Sequence, residues 1–325
     1  MNITALTVPA TRLSVIEEPW RGPAAIVPLE TAGHEMELRL PPCPVIGIGP
    51  SAHPRAAAFD LVVDQMSEID TIVRNILAHP HAAATLVQVL RTTGGLEPVR
   101  ALTVESMAYA MLQGSAEHAA WLARRKPRAV SAPGAVQAHR RDHVLEVTLD
   151  CAATGNAIDC AMRDGLFAAL SMAALDRDIE CIRLSGAGKA FSLGADLEEF
   201  GTTCDPATAH GIRSLTLPAL AAIECADRLE ARIDGACVGA GLELAAFSHR
   251  IVASRRSWFQ LPELSMGIIP GAGGCVSLPR RIGRQRTALM VLSGRRISAR
   301  VAHDWGLIDT VVNDFTCDQS GDHMI

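Results

Sequence analysis

Two carboxylates stand out by their surroundings. Glu243 lies in DGACVGAGLELA (Asp234–Ala245), where Gly239-Ala240-Gly241 precedes a short helical run and Leu242, Leu244, Ala245 and Ala246 are all apolar. A carboxylate in a first helical turn favours the helix dipole. Set among apolar side chains it is also partly desolvated, which raises a carboxyl pKa towards the range useful for proton transfer. Glu263 lies in WFQLPELSMGIIPGAGG (Trp258–Gly274) and is the only charged residue between Ser257 and Pro279. A lone acid in such a run is either paired or functional. A third segment, GKAFSLGADLEEF (Gly188–Phe200), places a tight turn, Gly194-Ala195-Asp196, before an expected helix start. Small residues there let the backbone approach a ligand, and N–H groups at a helix start point outward without partners. Taken singly, these features are an ordinary strand-to-helix turn, a favourable first-turn residue and a moderate signal at Glu263. Taken together, two desolvated acids beside Gly-rich helix starts suit proton abstraction or delivery next to a stabilised oxyanion. The dinucleotide-binding alternative fails, because G-x-G-x-x-G from Gly239 requires Gly or Ala where Leu244 stands.

The elements that must position these residues follow from periodicity. Short β-like runs, Ala25–Leu29 and Pro44–Ile48, lie in a Pro- and Gly-rich stretch up to about residue 56. Helices are then expected to about residue 125. One opens at Ser67-Glu68-Ile69-Asp70 with capping-box-like spacing and carries an apolar stripe of Ile69, Ile72, Val73, Ile76 and Leu77. A second covers Ala82–Arg91, and a third runs from Val104 to Arg125, broken near Gly114. Lys126–Ala138 reads as a linker. Beyond His143, strands are expected at Val144–Leu149, Cys181–Ser185, Leu229–Ile233 and Ile251–Ser254, with helices at Asn156–Leu175, Ile212–Cys225 and from Leu242. Strand, Gly-rich turn and helix recur, which argues for an α/β domain.

Composition bounds the rest. The 325 residues are 49% apolar and 20% charged, with a formal net charge of −5. That balance gives no electrostatic footprint for nucleic acid. No run approaches a membrane-spanning length. The first residues carry no basic stretch followed by an apolar one, so no signal peptide is expected and a cytoplasmic location is the default. The nine cysteines are scattered without C-x-x-C, arguing against a disulfide framework or zinc site and for small core residues. His79 and His81 flank Pro80 and read as a loop rather than a metal site. Tyr109, the one tyrosine, could reach a site only if the N-terminal helices supply it. Trp258 and Phe259 read as packing, with an acyl pocket the lesser alternative.

The segments together resemble the crotonase (enoyl-CoA hydratase/isomerase) superfamily. The resemblance runs from about His143 to Val312. It begins at Asn156-Ala157-Ile158 and passes through IRLSGAGKAFSLGADLEEF, ARIDGACVGAGLELA and FQLPELSMGIIPGAGG. It closes on Ser293-Gly294-Arg295-Arg296-Ile297 and Trp305-Gly306-Leu307-Ile308-Asp309. It implies an α/β fold: a crotonase-like ββα spiral core over 143–313, preceded by an N-terminal extension (1–128) that is mostly helical after residue 57 and by a linker (129–142), and followed by a polar tail (314–325). It implies an oxyanion hole from the N–H groups of Ala195 and Ala240, and Glu243 and Glu263 as the hydratase acid–base pair. Substrate-binding positions would be Leu193, Gly194, Asp196, Leu197, Gly239, Gly241, Pro262 and Gly271, with coenzyme A lying along the backbone around 193–197. The acyl-CoA is the substrate. No metal or further cofactor is implied, and the assembly implied is a trimer or dimer of trimers.

Retaining both glutamates points to hydration of a 2-enoyl-CoA. Enoyl-CoA isomerisation, cofactor-independent oxygenation of an arylacetyl-CoA and a non-catalytic acyl-CoA-binding subunit are the alternatives. The sequence departs from the family pattern at Glu198, where relatives often carry Lys, and near His249, where they carry Asp. Relatives continue for several tens of residues past the stretch matched by Gly306-Leu307-Ile308-Asp309. The expectation is therefore that the N-terminal helices replace that helical part.

Overall fold

A computed structural model describes residues 3–14, 19–33, 37–66, 69–126 and 132–315. The chain forms two compact units, each assembled from separate stretches of sequence. The first comprises 1–129, 197–217 and 260–295, and the second 130–196, 218–259 and 296–325.

The N-terminal part of the first unit is a three-stranded parallel sheet, β1 (Ala25–Pro28), β2 (Val45–Ile48) and β3 (Leu61–Val63). Four helices follow: α1 (Ile69–Ala78), α2 (Pro80–Thr93), α3 (Pro98–Gln113) and α4 (Ala116–Arg124). The apolar stripe of α1 buries Ile69, Ile72, Val73 and Ile76. Pro98 sits at the start of α3, where a missing N–H costs nothing, and the Glu97 carboxylate caps the N–H groups of Val99 and Arg100. Gly114 separates α3 from α4, whose N-cap Ser115 accepts from His118 N. The expected break near Gly114 is therefore a true helix end.

The second unit is a spiral of strand pairs. In chain order it holds β4 (Ala135–Arg141), β5 (Val144–Asp150), α5 (Cys160–Leu175), β6 (Cys181–Gly186) and β7 (Ala190–Ser192). After α6 (Pro206–Thr216), which belongs to the first unit, come α7 (Pro218–Glu224), β8 (Leu229–Ile233), β9 (Ala236–Val238), α8 (Ala240–Ala245), β10 (Arg250–Ser254) and β11 (Trp258–Gln260). After α9 (Gly274–Ser293), again of the first unit, come β12 (Ile297–Ser298), α10 (Ala299–Asp304) and β13 (Thr310–Val312). One sheet has the order β13-β10-β8-β6-β5-β4 and the other β12-β11-β9-β7. Each successive pair, β6/β7, β8/β9 and β10/β11, thus sends one strand to each sheet. The β5-β6-β8-β10 ladder is parallel throughout, with Leu145 opposite Ile182 and Leu184 opposite Ala231, all buried.

The structure differs from the sequence expectations at several points. The stretch read as linker over 129–142 contains strand β4, antiparallel to β5. Its side chains are nearly all exposed, so AVQAHRR shows no alternation to read. The helix expected from Asn156 begins at Cys160, with Asp159 as N-cap. The helix expected over 212–225 is two, because Pro218 has no N–H to continue α6. The domain boundary at residues 129–142 is not the only crossing, since 197–217 and 260–295 return to the first unit. Ser67-Glu68 and most of the polar tail lie outside the described residues. The eight described cysteines are free thiols, but only Cys43, Cys225, Cys237 and Cys275 are buried. Among the described residues, no helix is long and apolar enough to cross a membrane.

Candidate functional site

In the second unit two Gly-rich turns are in direct contact. A Cβ added at Gly241 would lie 2.5 Å from Ser192 Cβ, and one at Gly194 would lie 3.1 Å from Val238 O and 3.6 Å from Ala240 N. Gly194 also has φ +92, a conformation that favours glycine. The backbone at 192–195 and at 238–241 therefore pack without intervening side chains. Buried Ser192 ties the first turn down: its hydroxyl donates to Asn156 O (2.8 Å) and accepts from Gly194 N–H (3.1 Å). Asn156, fully buried with φ +56, donates through Nδ2 to Ala187 O, Ala190 O and Phe191 O, and its Oδ1 accepts from Cys151 N. One side chain thus fixes the loop before the turn to the strand that enters it.

Ala195 and Ala240, whose N–H groups the family resemblance offers as an oxyanion hole, lie in these two turns. Ile158 N–H donates to Gly194 O (2.8 Å) and Asp196 N–H to Ile158 O (2.9 Å), a one-residue parallel bridge opposite Ala195. A parallel ladder engages the groups flanking the paired residue, so the Ala195 N–H faces the other side of its strand. Ala240 is the first residue of α8, where a helix supplies no carbonyl to its N–H. Gly239, at φ 48 and ψ −127, makes the turn into that helix, and Glu243 N–H closes its first turn on Gly239 O (2.8 Å). The Glu243 side chain is 2% exposed. Leu193, Gly194, Ala195, Asp196, Gly239, Ala240, Gly241 and Glu243 are thus brought together in one unit.

Leu197, Pro262, Glu263 and Gly271 belong to the first unit. Leu197 begins a 3-10 turn, and the following Glu198 pairs with Arg125 at 3.6 Å. Glu263, 7% exposed, opens a 3-10 turn that ends at Gly267. Three groups of the N-terminal helices meet the segment after it. His118 Nδ1–H donates to Met266 O at 2.8 Å. The Tyr109 ring lies against Gly271, where an added Cβ would be 2.2 Å from it. Glu105 accepts from Gly273 N–H and Cys275 N–H, both at 2.7 Å, at the start of α9. Tyr109 also carries the Arg213 guanidinium 4.5 Å from its ring centre.

Sequence reasoning passed over Glu105, His118, Asn156 and Ser192 as working residues. Glu105 had a legible signal: it is the only charged residue between Arg100 and Glu117, the same criterion that marks Glu263. Phe259 is fully buried and Trp258 stacks on Arg296 at 3.9 Å, so both pack.

The two Gly-rich turns, Glu243 and Glu263 lie within a stretch that matches known proteins, whereas Glu105, Tyr109 and His118 lie before it. A family model described as enoyl-CoA hydratase/isomerase matches residues 139–320. The chain is 37% identical over 172 residues to 2,3-dehydroadipyl-CoA hydratase of Escherichia coli, covering 53% of this chain and 67% of that protein. It is 33% identical over 178 residues to mevalonyl-coenzyme A hydratase of Beauveria bassiana, covering 52% and 64%. The chain therefore spans about two-thirds of the length of these relatives. Among solved structures, an enoyl-CoA hydratase from Thermoplasma volcanium aligns with a TM-score of 0.50 at 34% identity, covering 55% of this chain and 72% of that one. One from Bacillus anthracis aligns with a TM-score of 0.51 at 29% identity, covering 55% and 69%. The ββα spiral, its two touching Gly-rich turns and these matches agree: the chain belongs to the enoyl-CoA hydratase/isomerase family of the crotonase superfamily.

Proposed function

We propose that the protein hydrates a 2-enoyl-CoA thioester. The observation that supports this reading is the contact between the 192–195 and 238–241 backbones, the second of which opens the helix whose first turn carries buried Glu243. Water adds through its oxygen to the β-carbon while Glu243 takes one of its protons. The electron pair of the carbon–carbon double bond moves onto the thioester oxygen, forming an enolate that the two N–H groups stabilise. Glu263 then donates a proton to the α-carbon, giving the 3-hydroxyacyl-CoA, and the pair is reset by proton exchange. Two preorganised donors at an oxyanion are worth several kcal/mol, about 3 for each lost donor. Coenzyme A enters as part of the substrate, along the backbone of 193–197, and the balanced reaction consumes only water and the thioester. The assembly that goes with this reading is a homo-oligomer, a trimer or dimer of trimers, checked by sedimentation.

A panel of acyl-CoA thioesters tests the reading. Hydration bleaches the conjugated absorbance of 2-enoyl-CoA without oxygen uptake. Appearance of that absorbance from 3-enoyl-CoA, with no bleaching, would identify an isomerase. Oxygen uptake with an arylacetyl-CoA would identify an oxygenase, and inertness towards the panel with retained acyl-CoA binding would identify a binding subunit.

A further inference from the structure

The N-terminal helices hold the segment that carries Glu263 at two points, before and after its glycine-rich stretch. At the first, buried His118 of α4 donates to Met266 O, and its ring is fixed by stacking on Trp121 at 5.5 Å. Gly267, at φ 70, lets α4 come this close; an added Cβ would lie 2.8 Å from the Glu117 carbonyl carbon and His118 N. At the second, Glu105 of α3 is 1% exposed and gives one carboxylate oxygen to each of Gly273 N–H and Cys275 N–H. Between these two points runs Gly267-Ile268-Ile269-Pro270-Gly271-Ala272-Gly273-Gly274, in which four of eight residues are glycine. Glycine backbone has the widest conformational freedom, so such a stretch defines its own path poorly. A buried carboxylate, in turn, is stable only when its oxygens are bonded, and the N–H groups opening a helix are the partners that favour an anion. The carboxylate and the glycine-rich turn therefore fix one another.

We infer that Glu105 and His118 are positioning residues for Glu263: through the two ends of residues 266–275 they hold the proton donor where it acts, making α3 and α4 part of the catalytic apparatus. This rests on the reading of Glu263 as the proton donor, and a mutant cycle in the full-length protein separates the two claims. In Glu105→Gln the amide offers one oxygen acceptor and one NH2 where Gly273 N–H and Cys275 N–H each meet a carboxylate oxygen, so at least one bond is lost at nearly constant volume. The expected result is a kcat lower by about tenfold or more, within the loss that a misplacement of up to 1 Å produces, with KM changed less than about twofold. In a Glu263→Gln background the same change is expected to lower the residual kcat less than about twofold, because the group being positioned is no longer a donor. Equal losses in both backgrounds, or an unchanged kcat in the wild-type background, overturn the inference. If Glu105→Gln does not fold, His118→Phe, which keeps the ring stack and removes the Nδ1–H donor, is put through the same cycle with the same two readings. A Glu263→Gln enzyme as active as wild type instead removes the acid–base reading itself, and the inference with it.

Discussion

Adding one methyl group at Gly241 probes the contact on which the proposed chemistry depends. The added Cβ would lie 2.5 Å from Ser192 Cβ and 2.7 Å from its Oγ. Carbon atoms rest at about 3.5–4.0 Å, so roughly 1 Å must open between α8 and the 192–195 turn. Ser192 cannot swing away without losing its bonds to Asn156 O and Gly194 N–H, at about 1 kcal/mol each. Overpacking of this kind costs about 1–3 kcal/mol of stability. The effect on turnover follows from position: a 1 Å shift of a reacting group costs on the order of 10²-fold, similar to the loss of one oxyanion donor. Gly241→Ala should therefore lower kcat for 2-enoyl-CoA hydration by about 10²-fold, measured as loss of enoyl absorbance, and lower the denaturant midpoint. Gly211→Ala is the control. Gly211 lies in α6 with nothing within 4 Å of an added Cβ, so that variant should keep wild-type kcat and gain up to about 1 kcal/mol. A Gly241→Ala enzyme with wild-type kcat would refute the claim that close backbone contact here sets the donors.

Two further predictions concern stability. Asp60 is buried and accepts from Val45 N–H, from Arg91 at 2.5 and 2.9 Å and from Arg284 at 2.8 Å, joining the three-stranded sheet to α2 and α9. Asp60→Ala leaves Arg91 and Arg284 with only backbone carbonyl partners and Val45 N–H without its acceptor, and should cost about 2–4 kcal/mol in thermal or chemical denaturation; a wild-type midpoint would contradict the assignment. Hydrogen bonding from Arg256, with a further bond from Ser254, holds the Asp234 carboxyl below its ordinary pKa despite partial desolvation. A group with a lowered folded-state pKa contributes stability that is present above its unfolded pKa and is lost as pH falls through the folded value. Asp234→Asn should accordingly flatten the acid limb of the stability–pH profile, and an unaltered limb would show that this pair contributes nothing.

Much of the second unit was legible because its signals are local. Gly-rich turns between apolar strands mark Gly194, Gly239 and Gly241, and the helix dipole marks Glu243. Asn156 shows where local reading stops. The local sequence reads as a helix start there, yet Asn156 occupies a left-handed conformation and satisfies carbonyls some thirty residues away. The edge strand β4 was hidden because no alternation is imposed on a strand exposed on both faces. The make-up of the first unit could not be read from composition. Its joining contacts, Glu105 to Gly273 and His118 to Met266, span 168 and 148 residues and leave no periodic trace. Only the isolation of Glu105 in an uncharged run hinted at its role.

The central claim is most directly tested by following crotonyl-CoA absorbance with wild-type protein, Glu243→Gln and Glu263→Gln under identical conditions. The account predicts bleaching by the wild type and a kcat lower by about 10²–10⁴-fold in each variant, the range that a positioned proton-transfer group contributes. Bleaching at the wild-type rate by either variant would contradict it.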